Sequence, residues 1–223
     1  MRVIAHRGFA ADAPENTLAA IGQASDVADS IEFDARRCGT GELVVFHDET
    51  VDRVTDGTGR VDEFDLADLQ SLEVLDSGES IPTLDAVLDA IPPDVDVNIE
   101  LKETGIAEDV LDTLAAVGND AIVSSFSAAA LREIQSDART VETAYITKRL
   151  RDEPVRRAVE LDCQYIHPRF TLLLYSRLLS RARAVDLGVN VWTVNDARLA
   201  RLLAWRGVDG IATDGLAIAR PYL

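Results

Sequence analysis

The sequence predicts an α/β chain that closes as a (β/α)8 TIM barrel, with an extra antiparallel hairpin arm after the second strand. Three observations predict it. Short apolar or β-branched runs recur along the whole chain, stretches with helical spacing separate most of them, and one interval is too short to hold a helix. The runs lie at residues 2–5, 30–33, 43–46, 96–101, 121–124, 143–146, 164–166, 190–194 and 210–213. Helical spacing begins near Pro14, Leu66, Thr83, Ala107, Ser127, Pro154, Leu172 and Asn195. Pro154 suits a first helical turn, and Asn195-Asp196 precedes the apolar positions Leu199, Leu202 and Leu203. Gly118, Gly188 and Gly207 stand where helices should close. Between Phe33 and Leu43 there is no room for a crossover, and Cys38-Gly39-Thr40-Gly41 reads as a tight turn. A parallel return needs about a dozen residues, so residues 43–46 should run antiparallel to the second strand. Removing that arm leaves eight parallel strands. A doubly wound open sheet is the alternative. No linker or low-complexity stretch divides residues 1–223, which predicts a single domain. Residues 48–82, with Gly57, Gly59 and Gly78, read as a loop with one short helix over a barrel end.

Composition narrows the function classes. The chain has 223 residues, 22 Lys+Arg against 39 Asp+Glu, and a formal net charge of −17. Its 47% hydrophobic content can fill a full-sized core. A polyanion of this kind is unsuited to binding nucleic acid or an anionic membrane through a general field, so neither is expected as a stable partner. Only Lys102 and Lys148 are lysines; abundant carboxylates with so little lysine resemble the protein surfaces of salt-loving (halophilic) organisms. Cys38 and Cys163 have no metal-type spacing and read as free thiols of a reducing compartment. With no signal-peptide pattern and no bilayer-length apolar stretch, a cytoplasmic location is expected. The oligomeric state is not legible.

Barrel chemistry gathers at the carboxyl ends of the strands. The first strand ends in His6-Arg7-Gly8. The second carries Glu32 and Asp34, two apart and so on one face. The returning arm ends at His47-Asp48 and should bring His47 close to Asp34. On residues 96–101, Val97, Ile99 and Leu101 share one face, and Asn98, Glu100 and Lys102 the other. Glu32, Asp34 and Glu100 make a hard oxygen set suited to Ca²⁺ or Mg²⁺ rather than zinc. Arg7 and Lys102 suit phosphate oxygens, although Lys102 could equally pair with Glu100. His6 and His47 can serve as acid and base near neutrality. His167 has no comparable neighbours and reads as structural or pocket-lining. Two imidazoles, a divalent cation and fixed cations at one mouth point to phosphodiester chemistry.

These residues also resemble a known family. His6-Arg7-Gly8, Ala13-Pro14-Glu15-Asn16-Thr17, Glu32-Phe33-Asp34, His47-Asp48, Asn98-Ile99-Glu100-Leu101-Lys102, Trp192-Thr193-Val194-Asn195, Gly207-Val208-Asp209-Gly210-Ile211 and Thr213-Asp214 are similar, in order, to glycerophosphodiester phosphodiesterases. That family belongs to the barrel superfamily that includes phosphatidylinositol-specific phospholipases C. The resemblance implies metal-dependent hydrolysis of small-molecule glycerophosphodiesters to glycerol phosphate and an alcohol. It implies His6 and His47 as the acid/base pair, Glu32, Asp34 and Glu100 as metal ligands, and Arg7 and Lys102 on the phosphate. It further implies Trp192 against the substrate's carbon skeleton, Glu15 oriented toward Arg7, and Asn16 capping the following helix. The short segment after His47 predicts an open mouth without a large cap domain. A phospholipase C or D type reaction on intact lipid, and a catalytically silent barrel that binds phosphorylated metabolites, are the alternatives.

Overall fold

A computed structural model describes residues 1–223. The chain opens with β1 (Arg2–His6), α1 (Leu18–Ser25), β2 (Ser30–Arg37) and β3 (Leu43–Val45). Next come α2 (Leu66–Ser71), the two-residue strands β4 (Glu73–Val74) and β5 (Glu79–Ser80), and α3 (Leu84–Ala90). Strand and helix then alternate through β6 (Asp96–Leu101), α4 (Ala107–Ala115), β7 (Ala121–Ser125), α5 (Ala128–Ser136) and β8 (Glu142–Thr147). The pattern continues with α6 (Pro154–Glu160), β9 (Tyr165–Pro168), α7 (Phe170–Leu174), α8 (Leu178–Arg183) and β10 (Gly188–Val191). It ends with α9 (Ala197–Arg206), β11 (Gly210–Thr213) and α10 (Leu216–Ala219).

Eight parallel strands run in the order β1, β11, β10, β9, β8, β7, β6, β2, and the β1–β2 pairing closes the ring. An open sheet is thereby excluded. β3 pairs antiparallel with β2, Ala35 opposite Val45 and Arg37 opposite Leu43, as the short interval requires. Period-two alternation explains why the ring holds. Val97, Ile99 and Leu101 turn outward into a cluster with Leu84, Leu88 and Val110 of the covering helices. The alternate residues Asn98 and Glu100 face the cavity at the mouth. Phe33 is fully buried in the same cluster, and burial of a side chain of that size stabilises the fold by about 1.5–3 kcal/mol.

Local chemistry starts several helices. Thr17, Asp65, Thr83, Ser127 and Asp196 each accept a backbone N–H from the first turn of α1, α2, α3, α5 and α9. α1 therefore begins at Leu18 rather than near Pro14, and its cap is Thr17, not Asn16. β2 runs four residues past the predicted end because its outer half pairs with β3 and β6. The helix expected after Leu172 is two short helices, α7 and α8, and α10 had no sequence signal. Residues 48–82 are more ordered than a loop: Val51, Val54, Val61, Leu69, Val74 and Ile81 pack with Cys38, Val44 and Phe46 into a separate nine-residue core. No helix is long and apolar enough to cross a membrane.

Candidate active site

The turn after β1 is the first positioning device. Arg7, Gly8 and Phe9 all adopt positive φ, at 51°, 76° and 65°. Such a run is unfavourable for L side chains and persists where surrounding contacts enforce it. Gly8 is required there twice over, since a Cβ would lie 2.8 Å from the backbone carbon of Ala20. The turn lets the Arg7 backbone N–H donate to Glu32 Oε2 at 3.1 Å. It also aims the guanidinium at Glu15 Oε1, 2.8 Å away, and at Asp34 Oδ2, 3.4 Å away. Glu15 is oriented toward Arg7 as expected and is gripped from its other side by Arg53 at 2.7 Å. Asn16, left-handed at φ 60° and buried, donates from Nδ2 to Asp34 Oδ2 at 2.8 Å. Its work is to hold a carboxylate, which replaces the expected capping role.

The parallel register sets Asp34 beside Glu100 and Glu32 beside Asn98. Glu32, Asp34 and Glu100 are all buried, and each offers an oxygen within 4.8 Å of the others. Lys102 Nζ lies 2.8 Å from Asp34 Oδ1 and 2.5 Å from Glu100 Oε1. Burial works against charge on Asp34, yet Lys102 and Arg7 hold its carboxyl well below the usual range. Burial, with Asp34 and Glu32 close by, pushes Glu100 up to about 7 in spite of Lys102. Burial and Asp34 also raise Glu32. The cage is thus short of positive charge even with Lys102 inside it. Three buried oxygen donors with that deficit fit a hard divalent cation.

Both imidazoles are braced. His6 Nδ1 is 2.5 Å from Asp214 Oδ1, and Asp214 accepts a second bond from Asn195 Nδ2 at 2.5 Å. His47 Nδ1 is 2.5 Å from Asp48 Oδ1, and Arg53 holds Asp48 through its Nε. A carboxylate on Nδ1 selects the tautomer with the proton there and leaves Nε2 for chemistry. His6 Nε2 lies 3.8 Å from Glu32 Oε2. Burial would lower His6, but Glu32 and Asp214 outweigh it and its pKa is raised. His47 is lowered by burial, assisted by Lys102 and Arg7 against the pull of Asp34. Their surroundings push the two groups apart, as an acid–base pair requires.

Both histidines line one cavity of about 200 Å³. Its other side is an aromatic lip. Phe126 and Trp192 meet edge to face with centroids 5.6 Å apart, and Trp192 Nε1 donates to the His167 carbonyl at 2.7 Å. Lys148 Nζ stands 5.4 Å from the Phe126 ring centre. His167 is a buried cavity-lining residue bonded to Asn190, and burial drives its pKa down to about 3. His6, Arg7, Glu32, His47, Asn98, Glu100, His167 and Trp192 therefore line this mouth, with Asp34 and Lys102 packed behind Glu100. Sequence reasoning gave no role to Asp214, Asp48, Phe126 or Lys148. Each stands just after a strand end or a singled-out histidine, so the rule that found His6 could have found them. Arg53 carried no such signal.

Residues 6–217 match the glycerophosphoryl diester phosphodiesterase family. The chain belongs to that family. A glycerophosphodiester phosphodiesterase of Caldanaerobacter subterraneus subsp. tengcongensis is 34% identical over 227 residues, spanning 95% of this chain and 93% of its own. The solved structure of an Oleispira antarctica phosphodiesterase in complex with the product sn-glycerol-3-phosphate is similar with a TM-score of 0.85 at 29% identity, covering 96% of this chain and 93% of that one. The glycerophosphodiester phosphodiesterase of Thermotoga maritima reaches 0.87 at 26% identity, covering 100% and 98%. The family match takes in every mouth residue from His6 to Asp214.

Proposed function

We propose that this chain hydrolyses glycerophosphodiesters to glycerol phosphate and an alcohol, as a metal-dependent phosphodiesterase. The reading is carried by one observation: two carboxylate-braced imidazoles line one cavity with Glu32 and Glu100 of a buried three-carboxylate cage. One imidazole Nε2 takes the proton of the glycerol hydroxyl next to the phosphate as its oxygen bonds to phosphorus. The other gives its proton to the departing alkoxide, releasing the alcohol and leaving a cyclic phosphate. Water then opens the ring with the roles exchanged. Glu32, Asp34 and Glu100 would hold Ca²⁺ or Mg²⁺, which when bound supplies Lewis-acid stabilisation of charge on the phosphoryl oxygens. Arg7 and Lys102, on the wall of the cage, bind the phosphate. Trp192 excludes water from the substrate's carbon skeleton. Glu15 steadies Arg7, and Asn16 steadies Asp34. Residues 1–223 act as one domain, in the cytoplasm.

The test is release of glycerol phosphate from glycerophosphoethanolamine or glycerophosphoglycerol, with Ca²⁺ or Mg²⁺ and then with chelator. Turnover should vanish in chelator and in the His6→Ala and His47→Ala variants. Variants that turn over like the parent would defeat the acid–base assignment, and full activity in chelator would remove the metal.

A further inference from the structure

The chain carries 22 basic residues and only two are lysines; Lys148 lines the cavity, and Lys102 sits behind its wall against the lining residue Glu100. They are in opposite situations. Lys102 is only 9% exposed and is paired with Asp34 and Glu100 at the cage. Arg7, which does line the cavity, is likewise paired, with Glu15 and Asp34. Lys148 is exposed at the rim, and no carboxylate oxygen lies within 4.0 Å of its ammonium. It follows Thr147, the last residue of β8, which stands across the eight-stranded ring from β1 with His6 and Arg7. The Phe126 ring beneath it holds the ammonium at the lip without neutralising it. Arg149 and Arg169, which follow the ends of β8 and β9, also lack a carboxylate within that distance.

An unpaired cation at the mouth of a molecule with net charge −17 is the place where an anion meets the least cancellation. The scissile phosphate belongs at the cage, on β2 and β6, which lie three and two strands round the ring from β8. A second anion at Lys148 must therefore come from the far end of the substrate. We propose that Lys148 is a specificity-determining residue that binds a negatively charged group on the leaving alcohol, so that the site prefers glycerophosphodiesters whose alcohol itself carries a phosphate or carboxylate. This deepens the phosphodiesterase reading and rests on it. The geometry is that of a two-point clamp: metal cage and imidazoles hold the diester, and the lip holds the alcohol's charge.

The experiment compares three diesters by steady-state release of the alcohol in the metal-loaded enzyme. They are glycerophosphocholine, glycerophosphoglycerol, and glycerophosphoglycerol bearing a phosphate on its terminal hydroxyl. The parent enzyme should prefer the phosphorylated probe over the neutral one in kcat/KM. In Lys148→Gln that preference should fall by about three- to fivefold, through KM rather than kcat, the range for a solvent-exposed charge pair at its stronger end. Lys148→Arg should retain it. A parent without preference for the phosphorylated probe overturns the proposal. So does a Lys148→Gln variant that weakens all three diesters equally, which would put the lysine on the scissile phosphate. Failure of the parent to cleave any of the three overturns the phosphodiesterase reading itself, a result distinct from cleavage without discrimination.

Discussion

Asp214 follows the last barrel strand and holds His6 by Nδ1 at 2.5 Å, and its consequence for catalysis can be worked out from the contacts on both sides of it. Asn195 donates from Nδ2 to Asp214 Oδ2 at 2.5 Å. In an Asp214→Asn variant, that donor will claim the new side chain's carbonyl oxygen, which turns the amide NH2 toward His6. The imidazole then faces a donor at Nδ1 and must move its proton to Nε2, the wrong tautomer for accepting a proton there. The lost bond is charge-assisted and joins side chains that are 17% and 25% exposed. A bond of that class contributes about 1.5–3 kcal/mol, or roughly a 10- to 150-fold fall in rate. The loss should appear in kcat with KM little changed, because Asp214 acts through His6 and not on bound substrate. The assay is steady-state release of glycerol phosphate, with circular dichroism and a thermal scan as the fold control. A folded variant within twofold of the parent in kcat would refute the tautomer argument.

Three further outcomes follow from the same contacts. Saturating Ca²⁺ or Mg²⁺ at about one hundred times Kd should stabilise the fold by about 2.7 kcal/mol, a rise of about 5–11 °C in Tm for a domain of this size; Glu100→Gln should abolish the rise, and a parent Tm identical in cation and chelator would contradict the cage. His167, whose folded pKa is about 3 against an unfolded value near 6.5, contributes stability that is whole above the unfolded value and is lost as pH falls toward the folded one. Denaturant titrations should therefore show the parent losing about 2 kcal/mol more than His167→Gln between pH 7 and pH 5, and parallel pH curves would count against it. Because the molecule and its substrate are both anionic, kcat/KM should rise as salt shortens the Debye length from about 30 Å to about 8 Å; a fall in kcat/KM across that range would show that local cations dominate the encounter.

Much of the site was legible because burial and catalysis use alternate residues of the same strands. Val97, Ile99 and Leu101 announced β6, and their alternates Asn98 and Glu100 were bound to face the mouth. The arm carrying His47 was legible from an interval too short for a crossover. The contacts that were not legible are those decided by tertiary structure. Asn16 has the chemistry of a helix cap, but its left-handed backbone turns it to Asp34, and Thr17 takes the cap instead. The bond from His6 to Asp214 spans 208 positions, beyond any local pattern. Lys102 could be read as a phosphate ligand or as a counter-ion, and the register that sets Asp34 beside Glu100 places it between them. Residues 48–82 hide their small core because its apolar members are scattered among charged neighbours without period.

The arm that delivers His47 has a consequence for how such a barrel can diversify. One imidazole rides on the ring itself, at the end of β1, and the other two residues past β3, whose one strand partner is β2. Behind that second strand, the cluster around Val51, Val61 and Leu69 is built from its own chain segment. Insertions at the tip of this appendage can grow into a roof or shrink to a lip while the eight staves keep their spacing. One of the two proton-transfer groups is in this way carried next to a piece of polypeptide that can drift at its own speed.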